Sequence, residues 1–209
     1  TLMQGEVLDR LLYKDNAGKS CKGQQDVPFY SQQTRTILKG CGGVDPSSIH
    51  EYISQGGYYA ARKVIGAQCD VEICETIIAS GLRGRGGGGF KTGVKWNLAR
   101  IEESEMKYVI CNGDEGDPGA FMDRSIMEGN PHAVIEGMMI AAKAIGATEG
   151  YVYVRAEYPL AVTRLEKAIA DAEAAGVLGC DLFGSDFDFT VTVMEGAGAF
   201  VCGEETALM

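Results

Sequence analysis

The fold is decided between residues 107 and 194. Lys107–Cys111 reads KYVIC, Asn130-Pro131 opens an apolar periodic run, Tyr151–Arg155 reads YVYVR, Pro159 opens a second periodic run, and Phe187–Met194 reads FDFTVTVM. The three short runs rich in Val, Ile, Tyr and Phe are strand-like. Between them Val134, Ile135, Met138, Met139, Ala142 and Ile145 line one side of a helix with Asn130 as N-cap, Pro131 at its first position and Gly146 after its end. Leu160, Leu165, Ile169 and Ala172 do the same for a helix closed by Gly176. Each crossover is long enough for right-handed parallel pairing. The order strand–helix–strand–helix–strand predicts an α/β layer whose ligand loops lie at the carboxyl ends of the strands.

Upstream the spacing predicts further helices: one started by Asp45-Pro46-Ser47-Ser48 with Ile49, Tyr52 and Ile53 on one face, one over Tyr58–Ile65, one over Val71–Ser80 and one from Thr92 to about Ile101. Residues 1 to about 47 read as irregular, because Asn16, Gly18, Gly23 and Pro28 break any period. Two domains are expected: an irregular and helical extension over 1–69, and an α/β domain over 70–209 that is truncated at its C-terminal end, where a helix has only begun after Gly203.

The composition is that of an ordinary globular chain, 45% apolar and 23% charged. The net charge of −10 argues against nucleic acid or an anionic membrane as the main partner. An anionic ligand must therefore be held by a local cluster of amides or cations. No apolar run of membrane-spanning length is present. The seven cysteines (Cys21, Cys41, Cys69, Cys74, Cys111, Cys180 and Cys202) are odd in number and lack a C-x-x-C pair. That fits a reducing cytoplasm and offers no zinc or iron–sulfur ligand pattern.

Three stretches carry the chemistry. The first, Gly84-Arg85-Gly86-Gly87-Gly88-Gly89-Phe90-Lys91-Thr92-Gly93, has glycines that let amides converge on a phosphate, and a helix follows whose N-terminus is positive. Arg83, Arg85, Lys91 and Lys95 add cations. Gly84, Gly86 and Gly89 satisfy G-x-G-x-x-G, but a helix precedes the loop where the dinucleotide fingerprint needs a strand. Phe90 stands where a P-loop needs glycine before Lys-Thr. A phosphate loop of another type remains, with a flexible basic turn as its alternative. Phe90 is placed to stack on a ligand ring or to anchor the loop. The second stretch, Asn112-Gly113-Asp114-Glu115-Gly116-Asp117-Pro118-Gly119, follows the first strand. Its carboxylates need donors or a cation, and it lacks the spacing of a calcium loop. The third, Gly196–Thr206, turns sharply after the third strand and puts Glu204 and Glu205 at a helix start. Parallel order sets the last two loops on one edge. Cations and amides on one side and acids on the other suit a ligand with a phosphate at one end and ring or sugar groups at the other. His50 and His132 lie in no motif and are read as structural.

At this point the residues become specific. SGLRGRGGGGFKTGVKW (Ser80–Trp96), NGDEGDPG (Asn112–Gly119) and GAGAFVCGEETAL (Gly196–Leu208) resemble, in order and separation, three signatures of the FMN- and NADH-binding flavoprotein subunit of complex I and of NAD-linked soluble hydrogenases. Phe29–Tyr58 is similar too, so the resemblance runs from about residue 26 to the end. It implies a Rossmann-like parallel sheet with flanking helices, of the FMN-binding type. Gly84, Arg85, Gly86, Gly87 and Lys95 would hold the FMN phosphate region. Asn112, Asp114 and Glu115 would contact the flavin, and Gly203, Glu204 and Glu205 would line the flavin and nicotinamide pocket. Phe90, Asp117, Glu204 and Glu205 would meet NADH, with Phe90 on the adenine. No metal is expected in this segment. The family's later asparagine-bearing flavin segment, ubiquitin-like domain and four-cysteine 4Fe-4S motif lie outside it. Three departures bear on the nucleotide: Asp117 replaces a common Glu, Leu98 a second aromatic, and Phe200 a Tyr. The implied activity is hydride passage between NADH and FMN, with electrons relayed to iron–sulfur partner subunits. A non-catalytic scaffold keeping the fold is the alternative, and a nucleotide phosphotransferase is a third, disfavoured reading.

Overall fold

The strands β3 (Tyr108–Gly113), β4 (Glu149–Arg155) and β5 (Thr190–Gly196) form a parallel sheet in the order β3-β4-β5 in the computed structural model, which describes residues 7–209. Their register pairs Cys111 with Val152 and Val152 with Val193, so these side chains share a face. That face is covered by α7 (Pro131–Ile145) and α8 (Pro159–Ala174). Ile135, Met139, Val152, Val154 and Leu165 are fully buried there. Each such aliphatic side chain contributes about 1.5–3 kcal/mol. The opposite face carries Tyr108, Ile110, Tyr151, Tyr153 and Met194 along a cavity of about 670 Å³. At the carboxyl ends of the strands it carries Asn112, Arg155 and Gly196.

Two compact units divide the chain between Lys39 and Gly40. In the first, β1 (Tyr13–Lys14) and β2 (Ser20–Cys21) pair antiparallel, and α1 (Pro28–Ser31) follows. Two of the residues read as period breakers, Asn16 and Gly18, lie in the hairpin turn. The Asp15 carboxylate accepts the amides of Ala17 and Lys19, both at 2.9 Å, and Gly18 takes φ +78. Residues 1–6 of the expected extension lie outside the described residues.

The second unit holds the sheet and eight α-helices. Besides α7 and α8 they are α2 (Ile49–Ser54), α3 (Tyr59–Ala67), α4 (Asp70–Ser80), α5 (Thr92–Ile101), α6 (Met122–Gly129) and α9 (Glu205–Leu208). Helices α2 and α3, assigned to the extension on sequence, pack within this unit. Their anchor is buried: Glu136 of α7 accepts the Tyr52 hydroxyl at 2.5 Å and the amides of Tyr58 at 2.9 Å and Ala61 at 3.1 Å. The third strand begins at Thr190 rather than Phe187. Helix α6 had no forerunner in the sequence reading. Asn130 does stand at the N-cap of α7, but its side chain makes no cap bond. Among the described residues no helix is long and apolar enough to cross a membrane.

Candidate functional site

The glycine-rich stretch is a hairpin between two helices. Gly84 donates to the Phe90 carbonyl at 2.8 Å and Thr92 to the Leu82 carbonyl at 3.0 Å, leaving residues 85–88 as an exposed tip. Gly87 (φ +103) and Gly89 (φ +62) take angles that other residues rarely adopt. Arg83 is committed to the loop itself, donating to the Gly89 carbonyl at 3.0 Å. Arg85 is exposed. Helix α5 then starts at Thr92 without a side-chain cap; the Thr92 amide is used by Leu82, and the end of the helix keeps its positive pole. A Cβ on Gly93 would lie 2.5 Å from the Ile78 amide nitrogen, so this glycine lets α5 start hard against α4.

The acidic stretch begins inside β3. The Asn112 side-chain amide donates to the Gly203 carbonyl at 2.9 Å, and its oxygen accepts the Asp114 amide at 3.1 Å. The Asp114 side chain is only 4% exposed. Its Oδ1 lies 3.8 Å from Arg155 Nε, and its Oδ2 is buried without a partner among the described residues. Burial raises the Asp114 carboxyl above its ordinary value; Arg155 opposes the shift and Glu157 adds to it. Glu115 has a different setting: its carboxylate accepts the amides of Met122, Asp123 and Arg124 at 2.7–3.1 Å and so caps α6.

The third stretch leaves β5, makes a turn over Phe200–Gly203 and enters α9. Glu204 is the cap of α9, accepting the amides of Thr206 at 3.1 Å and Ala207 at 3.2 Å and also the Thr206 hydroxyl. These bonds, the hydroxyl's first, hold its carboxyl below the ordinary range. Glu205 pairs with Lys95 of α5 at 3.2 Å. Between the second and third stretches lies a cavity of about 360 Å³, lined by Asp114, Gly116, Asp117, Phe200, Val201, Gly203 and Glu204.

Motifs far apart in the chain thus meet. Lys95 reaches Glu205 across 110 residues, and Asn112 reaches Gly203 across 91. Of the residues singled out from sequence, Asp114, Asp117, Gly203 and Glu204 line the cavity, and Asn112, Lys95 and Glu205 tie its borders. Gly84, Arg85, Gly86, Gly87 and Phe90 stand on the separate hairpin and do not line it. Glu115 points its carboxylate at α6. Sequence reasoning missed Arg155, Glu157 and Tyr158, although a charge closing an apolar central strand at its carboxyl end was a usable signal. Arg155 donates to the Glu115 carbonyl at 2.6 Å and to Glu157 at 2.8 Å.

This donor set fits a flavin mononucleotide. Open space surrounds the Cβ positions of Gly86, Gly87, Gly88 and Gly89, where amides and the cations of Arg85 and Lys95 suit a phosphate. Asp114 Oδ2, an orphaned acceptor, suits a ring N–H.

Residues 77–209 match the family model described as the Nuo51 FMN-binding domain. The chain is 53% identical over 178 residues to the NADP-reducing hydrogenase subunit HndC of Solidesulfovibrio fructosivorans, covering 85% of this chain and 36% of that protein. It is 46% identical over 165 residues to an NADH-quinone oxidoreductase subunit of Escherichia coli, covering 78% and 37%. A chain of the crystal structure of an air-oxidized NAD+-reducing NiFe-hydrogenase superposes with a TM-score of 0.65 and 32% identity, over 84% of this chain and 27% of that one. The chain therefore spans well under half of the relatives it matches. With its sheet, its three loops and more than half its length accounted for, the chain belongs to the Nuo51 FMN-binding domain family.

Proposed function

We propose that this chain is the FMN-binding part of an NADH-linked oxidoreductase subunit. It passes a hydride between NADH and FMN, and electrons leave to iron–sulfur clusters outside the segment, including a 4Fe-4S cluster and those of partner subunits. The observation that carries the reading is the junction of the second and third motifs at the carboxyl ends of the strands, through Asn112–Gly203, with Lys95 of α5 tied to Glu205. A cytoplasmic setting and neither nucleic-acid binding nor membrane insertion go with it.

When bound, FMN supplies a ring that accepts the electron pair of a hydride and releases electrons singly. The chain's share is binding, orientation and field. Amides of Gly84, Gly86 and Gly87, the start of α5, Arg85 and Lys95 hold the phosphate. Asn112 locks the ring-side loops together. Asp114 offers an acceptor, and Phe200 and Val201 keep water from one wall. Phe90 and Asp117 serve the nucleotide. No side chain needs to act as a general base.

The nicotinamide preference rests on Glu204, which stays anionic beside the cavity and disfavours a 2′-phosphate. One relative is named as NADP-reducing, so the choice is decided by assay. In the full-length protein assembled with its partners, NADH should bleach the flavin band with a higher kcat/KM than NADPH. Preference for NADPH would reject the assignment to Glu204. A flavin that neither nucleotide bleaches would reject the activity.

A further inference from the structure

Arg155 closes the central strand on the open face of the sheet, and its backbone pairs with Gly196 where the third loop departs. Its side chain is 20% exposed, and both terminal nitrogens are hydrogen-bonded. One terminal nitrogen donates to the Glu115 carbonyl at 2.6 Å and the other to Glu157 at 2.8 Å, while Nε faces Asp114 Oδ1 at 3.8 Å. The Tyr158 ring lies beneath it at 5.6 Å, and the Tyr158 hydroxyl also reaches the Glu115 carbonyl at 3.3 Å. Glu157 in turn borders Gly198 of the third loop. A single cation therefore spans the second and third loops.

The distances divide its work. The Glu115 carbonyl and Glu157 bonds are short and fix the guanidinium. The Asp114 separation is that of an ion pair without a close bond, so Arg155 supplies charge to Asp114 while leaving Oδ2 open. Around Asp114 stand Arg155, Glu157 and Tyr153, with Asp117 and Glu204 across the cavity. Arg155 is the one cation in that company.

Resting on the FMN reading above, we propose that Arg155 is the positioning residue for the ring end of the site. It holds the Asp114 carboxylate in place, sets how much uncompensated negative charge the flavin edge meets, and thereby tunes the potential of the bound flavin.

The test is a redox titration of the flavin band across pH, in the full-length, FMN-loaded protein within its complex. Arg155→Gln and Arg155→Lys are compared, each with and without Asp114→Asn. Arg155→Gln should lower the midpoint potential where Asp114 is ionised, because an unopposed carboxylate resists added electrons. The gap should narrow as pH falls, because Asp114 protonates first in the variant that lacks the cation. Arg155→Lys should give a smaller shift of the same sign, Asp114→Asn should raise the potential, and joining Asp114→Asn to Arg155→Gln should return it close to the wild-type value. Should Arg155→Gln not fold, Arg155→Lys reads the same dependence on Asp114. A double variant that stays at the Arg155→Gln potential, or an unmoved potential in an Arg155 variant that holds FMN, would overturn the proposal and leave the FMN reading standing. A folded wild-type protein without flavin would overturn both.

Discussion

His132 and Glu136 sit one turn apart on α7, and both are buried. His132 Nδ1 lies 2.9 Å from the Tyr58 hydroxyl, and Nε2 has no partner among the described residues. Burial lowers His132 below its ordinary 6.5. The folded chain therefore takes up this proton less readily than the unfolded one. The stability contributed by the neutral ring is complete above 6.5 and is lost as pH falls below it, by up to about 1.4 kcal/mol per pH unit. Asp114 and Asp123, whose carboxyls burial raises, contribute with the opposite sign from a start near 3.8. Thermal melts from about pH 8 to about pH 5 should show a decline that His132→Gln flattens; an unchanged slope would refute this role. Glu115 makes a second case. Glu115→Ala should cost about 1–2 kcal/mol by uncapping α6, measured by denaturant unfolding without flavin, and a loss seen only with FMN present would contradict the capping role. Neither setting was legible in the sequence. A buried histidine and a capping glutamate look alike to an exposed one until the chain has folded around them.

At the scale of elements, legibility followed the strength of local signals. Pro131 and Gly146 bracket α7, and a wide apolar surface runs between them, so its limits could be read directly. Helix α6 has eight residues, Phe121 at its N-cap and its acceptor at Glu115, outside the helix. No start signal of the usual kind exists for it. The β1–β2 hairpin, with two residues per strand, is too short to show a period. The corner between α4 and α5 depends on Gly93 and on Arg100, which reaches Asp70 at 3.2 Å. Gly93→Ala gains helix propensity but drives a Cβ into backbone. It should destabilise the fold by about 1–3 kcal/mol, and a stabilised protein in chemical denaturation would show that the corner has slack.

For the molecule as a whole, the sheet order and the three loops were visible in sequence because glycines cluster with cations in the first loop and with acids at strand ends in the other two. What joins them was not. The Asn112–Gly203 contact and the Arg155 bridge are products of parallel pairing, and the Lys95–Glu205 contact of the packing of α5, which bring together segments that are distant along the chain. A net charge of −10 makes that local arrangement decisive for an anionic ligand. Lys95→Ala removes an exposed pair, 66% and 69% accessible. Such a pair adds at most about 1 kcal/mol to stability, so melting should barely change while FMN affinity falls. The most direct measurement is a fluorescence-quenching titration of the full-length apoprotein with FMN, comparing wild type with Lys95→Ala, Asn112→Ala and Gly203→Val, one substitution for each loop. Uptake of one FMN per folded chain, weakened by all three substitutions, is the expected result. A folded wild type that takes up no FMN, or full affinity after any one loop is altered, would contradict a single flavin site closed by three motifs.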